Sequence, residues 1–335
     1  MMTLRPQLLL ATMALTWGTH ALAFDLSIED FDQESLAVIK QAKTSSDISV
    51  LNEAANILIY DSMMQENVDQ GVVYLSKAAG LGDEESQVEL ADYYYSEDDY
   101  VNALKWYHQA EGHKDPYVLY SLGVMYFDGE GTEPDYQKAN QYYEQAANAG
   151  YADAMYQLAF SYNDGKGVKQ DYQKAAYWFQ KAADEGDESA MYNLGISYLN
   201  GEGVGKDCKK AMELFNQAIE SNDHALSYAK LGDIYSYTEY KAPCGLEKSD
   251  YKKALGYYKS AALEGDSYSQ FQVGYAYRNG HGDWSNFVKA LAWFQIALEY
   301  GYDDAQSAID EVKNQMSDQD IEKANKLQEA IENEF

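Results

Sequence analysis

The chain is expected to fold as an all-α solenoid of helix-turn-helix repeats with helical caps, on two observations. The first is a period of 36 residues: Leu158-Ala159, Tyr162, Gly165-Lys166-Gly167, Asp171-Tyr172 and Lys174-Ala175 return as Leu194-Gly195, Tyr198, Gly201-Glu202-Gly203, Asp207 and Lys210-Ala211. Leu122-Gly123, Tyr126, Gly129-Glu130-Gly131 and Asp135-Tyr136 stand one period earlier. A fixed period of this kind marks stacked supersecondary units, none of which can bury its apolar face alone. The second observation is the pattern inside a period. Ala190, Leu194 and Tyr198 share one helix face, and Gly195 beside Leu194 lets another helix approach closely. Gly201-Glu202-Gly203 supplies positive-φ positions for a reversal. Asp207 is placed to cap the next helix, and Ala211, Leu214, Phe215 and Ala218 give that helix its own apolar stripe.

In chain order, residues 1–23 carry Arg5, an apolar run from Leu8 to Trp17, and Ala21-Leu22-Ala23, the pattern of a secretory signal peptide cleaved near Ala23. The run is shorter than the roughly 20 apolar residues a spanning helix needs. No integral membrane span is therefore expected, and the product is expected to be periplasmic or secreted. Residues 24–82 read as a helical N-terminal cap with Leu36, Val38, Ile39, Leu51, Ala54, Ala55, Leu58 and Ile59 at helical spacings, its last part a degenerate copy of the repeat. Six units follow over 83–301, their first helices marked by Leu90, Leu122, Leu158, Leu194, Leu231 and Val273 and their second by Ala103, Ala139, Ala175, Ala211, Ala254 and Ala290. The first unit is short because Ser96 to Asp99 replace the Gly-x-Gly turn. The fifth is long because Ser236 to Lys248 insert residues that include Pro243, Cys244 and Gly245. Turns between helices tolerate such changes best. Residues 302–335 read as two capping helices, the last dense in charge, which would close the stack with a polar face.

These residues resemble the Sel-one-like repeat (SLR) family, a relative of the tetratricopeptide repeat. Its string of Leu-Gly, Tyr, Gly-x-Gly-Val, Asp-Tyr-x-Lys-Ala, an aromatic pair and Ala-Ala-x-x-Gly is nearly complete over 154–186 and returns over 190–211, and the resemblance extends over residues 70–301. Departures are the missing Gly-x-Gly of the first and fifth units, Cys208 where Tyr is usual, and Asn286-Phe287 in place of Asp-Tyr. The resemblance implies a right-handed α-solenoid whose first helices line a concave surface, in a protein that acts as an adaptor or binding scaffold. Exported bacterial relatives include envelope assembly factors, signalling regulators, host-interaction factors and periplasmic immunity proteins that neutralise secreted toxins. A fold does not choose among them.

At 100° per residue, the first-helix positions two before, two after and five after the marker Leu lie about opposite the packing seam. They include Tyr95, Tyr120, Phe127, Tyr156, Phe160, Tyr192, Phe271 and Tyr275. As an exposed face these rings would mark a surface that grips an extended or helical segment of a partner protein. The alternative is that they pack between neighbouring first helices. Charge bears on the partner's nature: 55 acidic against 25 basic residues give a net of -30, which disfavours nucleic acid and suits a basic partner, calcium or a plain solvated surface. Cys208 and Cys244 are the only cysteines, and in an oxidising compartment they read first as a disulfide, with two free thiols the alternative.

Nothing in the chain spells an enzyme. No H-E-x-x-H, paired-Cys zinc spacing or G-x-S-x-G elbow occurs, and the Gly-x-Gly pieces join helix to helix rather than strand to helix. Acidic Asp128 to Asp135 lacks the alternating ligands of a calcium loop and reads as capping. His281 reads as a surface residue. No cofactor or metal is implied. The expected function is a non-enzymatic exported scaffold that binds a partner protein, with a periplasmic inhibitor of a secreted toxin as the alternative and a cell-wall hydrolase a distant third.

Overall fold

The computed structural model describes residues 31–61 and 64–333, so the expected signal peptide lies outside the described residues. Among the described residues the chain is all-helical. The helices are α1 (Gln33–Ala42), α2 (Ile48–Tyr60), α3 (Gln65–Gly80), α4 (Glu84–Ser96), α5 (Tyr100–Ala110), α6 (Pro116–Asp128), α7 (Tyr136–Asn148), α8 (Ala152–Asp164), α9 (Tyr172–Asp184), α10 (Glu188–Asn200), α11 (Cys208–Asn222), α12 (Ala225–Ser236), α13 (Tyr251–Leu263), α14 (Ser267–Asn279), α15 (Phe287–Glu299), α16 (Ala305–Lys313) and α17 (Asp318–Glu332). Two compact bodies meet in sequence at Leu90, inside α4.

In the first body, Leu51, Ala54, Ala55 and Leu58 of α2 are fully buried, as are Leu75 and Ala78 of α3. Gly71 permits the close approach of these two helices, since a Cβ there would lie 2.8 Å from Ile59. Asn52 donates to Asp83 at 3.1 Å and accepts from Ser86 at 2.8 Å, which fastens α2 to the start of α4.

The second body is a series of helix pairs, α6 with α7, α8 with α9, α10 with α11, α12 with α13 and α14 with α15, each pair also packed on the next. The glycine beside the marker Leu sets the distance within a pair. A Cβ on Gly123, Gly195, Gly232 or Gly274 would lie 2.5 to 2.6 Å from the ring of Tyr143, Phe215, Tyr258 or Phe294 on the partner helix. Between pairs the Gly-x-Gly turn is the joint. Gly203, at φ +73°, faces the backbone of Tyr172 in the preceding pair so closely that any side chain would overlap it, and Gly131, Gly167 and Gly282 meet Tyr100, Tyr136 and Tyr251 in the same way.

The Asp-Tyr-x-Lys signature has a local cause. Asp135, Asp171, Asp207, Asp250 and Asn286 cap the second helices with their side chains. Their own N–H groups donate to the carbonyls of Tyr126, Tyr162, Tyr198, Tyr235 and Tyr277 at 2.7 to 2.9 Å, closing the turn. Three residues after the cap, Lys138, Lys174, Lys253 and Lys289 hold their ammonium groups 4.0 to 4.8 Å from the rings of Tyr126, Tyr162, Tyr235 and Tyr277.

The fifth unit departs from this scheme. Helix α12 runs into extended backbone at Tyr237 instead of a left-handed glycine. The enlarged turn that follows is tied to α11 by a disulfide between Cys208 and Cys244, both buried, with Cα atoms 4.9 Å apart. At the C-terminal end α16 buries Ala305, Ala308, Ile309 and Val312, whereas α17 fully buries only Ala324 among its described residues, with Ile321 and Ile331 partly buried against the same core.

Two outcomes are expected. Gly195→Ala should lower the unfolding free energy by about 1–3 kcal/mol through overpacking against Phe215, and urea melts of a double-mutant cycle with Phe215→Leu should show a smaller loss when the ring is cut back. Reduction of the disulfide should cost up to about 4 kcal/mol in the same melts, given a 36-residue separation and a chain-entropy origin. An unchanged midpoint in dithiothreitol would show that the bond does not constrain the unfolded chain.

Candidate functional site

The eight aromatics expected opposite the packing seam divide into three groups. Tyr120, Tyr156, Tyr192 and Phe271 are half-buried rather than free. Each leans on the second-helix ring of its own unit, with centroids 6.0 Å from Tyr143, 5.9 Å from Phe179, 5.6 Å from Phe215 and 5.2 Å from Phe294. Three also touch the start of the next unit, at Tyr151 (5.0 Å), His224 (5.3 Å) and Tyr302 (4.9 Å). A helix in a stack has a neighbour on more than one side, so the side opposite its own partner is not automatically wet. Burial raises the phenol pKa of Tyr120, Tyr156 and Tyr192 above the ordinary tyrosine value, so these groups are neutral.

Tyr95 and Phe127 form the second group, five residues after the marker Leu. Tyr95 stands edge-on to Tyr100 at 5.3 Å. Phe127 stands edge-on to Tyr136 at 5.1 Å and 6.2 Å from Tyr143, with the Lys166 ammonium 4.1 Å from its ring and 4.5 Å from that of Tyr136. The third group, Phe160 and Tyr275, is the most open, at 37 % and 38 % exposure.

Sequence reasoning missed three rings that are equally open, Tyr136, Tyr172 and Tyr251 at 37–38 %. Their signal was present in the Asp-Tyr motif, which reads as helix capping until the contact of Tyr136 with Phe127 places the motif beside the first-helix face. It also missed the work of Asp92 and Asp233. These occupy the position two after the marker Leu in the units that carry Val88 and Ala229, not an aromatic, two before it. Asp233 is buried and accepts from Tyr258 at 2.9 Å, Tyr268 at 2.8 Å and Lys230 at 2.8 Å. Asp92 accepts in the same way from Tyr107 and, at 2.8 Å, from Tyr117. Burial alone would lower the Lys230 pKa, but its bond to Asp233 prevails and raises it.

His281 corrects a further expectation. It is not a plain surface residue: its ring stacks on Tyr251 at 4.2 Å and borders a pocket of about 440 Å³ formed with Tyr237, Tyr258, Phe271 and Tyr275. No group of three or more His, Cys, Asp or Glu side chains is placed to hold a metal among the described residues, nor is any helix there long and apolar enough to cross a membrane.

A comparison with family models matches the Sel1 repeat seven times, at residues 54–83, 84–111, 116–151, 152–187, 188–223, 225–266 and 267–302. The chain belongs to the Sel1 repeat family, whose repeats build protein-interaction scaffolds. The first match falls on the stretch read above as cap and degenerate copy. Among solved structures, a Sel1 repeat protein from Oxalobacter formigenes is 27 % identical over 67 % of this chain and 86 % of its own, with a TM-score of 0.60. A protective antigen of uropathogenic Escherichia coli strains, displaying an SLR fold, is 24 % identical over 86 % of this chain and 69 % of its own, with a TM-score of 0.65, a likeness of fold. An immunity protein from Pseudomonas aeruginosa aligns at 22 % identity over 57 % of this chain and 67 % of its own, with a TM-score of 0.38, too loose to bear on function. A search of curated proteins found no match.

One pH dependence follows from the site. His224 caps α12, its Nδ1 accepting from the Ser227 N–H at 3.2 Å, and burial holds its pKa below the ordinary 6.5 despite the opposing pull of Glu188. The unfolded chain therefore takes up this proton first as pH falls. The histidine's contribution is complete above about pH 6.5 and is lost as pH drops from there towards the depressed folded value. Urea midpoints measured from pH 7.5 to 5.5 should fall more steeply for the native chain than for His224→Asn, which keeps a capping oxygen; parallel curves would refute the assignment.

Proposed function

We propose that this chain is an exported, non-catalytic scaffold that binds a partner protein through the first-helix face, the concave face of such arrays. The observation that carries the reading is the set of part-exposed rings Tyr136, Phe160, Tyr172, Tyr251 and Tyr275, spread over four of the units, with Tyr136 edge-on to Phe127 and Tyr251 stacked on His281. Rigid aromatic anchors give a large contact area at low entropic cost, and such residues dominate binding energy at protein interfaces. The excess of 55 acidic over 25 basic residues supports a partner with basic segments around the anchors. Export is supported by the apolar run and Ala21-Leu22-Ala23 at the start of the sequence and by the Cys208–Cys244 disulfide, a bond that persists in oxidising compartments.

The test uses Phe160→Ser/Tyr172→Ser, both sites open enough that unfolding free energy should change by no more than about 1 kcal/mol. Mature protein immobilised as bait is expected to retain a specific partner from the source cell's envelope fraction. The double variant, matched in circular dichroism and melting, should retain at least tenfold less. Equal retention by both would remove this face from the interaction. The identity of the partner then distinguishes an envelope adaptor from a toxin inhibitor.

A further inference from the structure

The five central units allow the molecule to be compared with itself. In the second unit Phe127, five after the marker Leu, fills the space bounded by Tyr136 and Tyr143, and the middle residue of the next Gly-x-Gly turn, Lys166, covers it. The corresponding residues of the fifth unit are Ser236, Tyr251, Tyr258 and His281. Two of the four positions keep a ring and a third gains one in His281, while the one that supplied the filling ring is reduced to a hydroxymethyl group. The space is not closed by other means. The enlarged turn carries Tyr237 and Thr238 to one side of it, and Tyr237 is held there by hydrogen bonding to Tyr268 at 3.3 Å and Gln272 at 3.0 Å. A pocket of about 440 Å³ results, lined by Tyr251, Tyr258, Phe271, Tyr275 and His281 together with this turn.

We propose that this pocket binds an aromatic side chain presented by a partner protein, which takes the place that Phe127 occupies in the second unit. The charge pattern selects that occupant. No carboxylate, ammonium or guanidinium group lines the pocket. At its edge the Arg278 guanidinium lies 5.1 Å from the Tyr275 ring and is already paired with Glu311 at 2.7 Å, so neither charge is free to hold an ionic group, and an incoming anion would also meet the negative faces of the rings. A neutral ring needs no counter-charge, and an edge-on contact with Tyr251 and a tilted one with Tyr258 would reproduce those of Phe127 with Tyr136 and Tyr143. Polar groups at the rim fit the peptide that carries the ring: the hydroxyls of Thr238, Tyr251 and Tyr275 make no hydrogen bond within the described residues. The proposal rests on the scaffold reading for its source of the ring, and it names the anchor that reading lacks.

The experiment needs no natural partner. N-acetyl-phenylalanine amide, N-acetyl-lysine amide and p-cresol are titrated into the mature protein and followed by saturation-transfer and chemical-shift NMR. The phenylalanine probe is expected to bind, with the lysine probe at least tenfold weaker. Ser236→Phe, which restores the missing ring from within, should abolish binding and raise the melting temperature or leave it unchanged. Should that variant fail to fold, Thr238→Trp fills the pocket from the exposed turn and is expected to abolish binding equally. Binding that survives either filling, a preference for the lysine probe, recognition of p-cresol without the peptide-borne ring, or no binding by the phenylalanine probe would overturn the proposal. The scaffold reading fails separately: loss of the probe with retained, Phe160-dependent capture removes the pocket alone, and probe binding without any captured protein removes the scaffold.

Discussion

Contact between a glycine on one helix and an aromatic ring on its partner is the constraint on which the rest of this array depends. With no Cβ at Gly195, Gly232 or Gly274, the rings of Phe215, Tyr258 and Phe294 lie directly on the backbone of the first helix, and the two helices of a unit pack at the distance that contact dictates. Burying such a ring is worth roughly 1.5–3 kcal/mol, and the contact recurs along the chain. The second glycine of each turn extends the same logic between units, because it lets one turn rest on the backbone that opens the preceding second helix. Repeat stability is then a sum of similar local terms.

Within that frame the chain joins neighbouring units in two ways. Tyr120, Tyr192 and Phe271 bridge by ring contact from their own second helix to the start of the next unit. Where that ring is absent, at Val88 and Ala229, Asp92 and Asp233 bridge instead by accepting two tyrosine hydroxyls, one from the second helix and one from the next first helix. A buried carboxylate is costly unless its lone pairs are satisfied. Asp233 meets the condition with two phenols and an ammonium group. The two devices are alternatives for one mechanical task, and the polar one is orientation-specific in a way that ring packing is not.

The fifth unit concentrates the departures from the pattern: no Gly-x-Gly, an enlarged turn, a disulfide and a small residue where Phe127 has its ring. Cys208 gives up the Tyr position of the Asp-Tyr motif to make the bond, so the same substitution that removes one surface ring secures the turn whose Tyr237 borders the pocket. Irregularity within a repeat array is where individuality resides, since the regular positions recur from unit to unit.

Much of the architecture was legible in the sequence because it is determined locally. Asp135, Asp171 and Asp207 start their helices by capping orphan N–H groups, Gly129, Gly165 and Gly201 end theirs by accepting positive φ, and the 36-residue period forces identical units to stack. What tertiary structure alone decided was the surroundings of each side chain on those helices. A helical wheel places Tyr156 opposite Leu158, but only the position of the next unit decides that Tyr156 is half-buried while Phe160 looks outward. The roles of Asp233 and His281 belong to the same class, because their partners Tyr268 and Tyr251 come from elements 35 and 30 residues away. Capping and turn chemistry act over a few bonds and can be read from neighbours in sequence; ring contacts and pockets arise from neighbours in space.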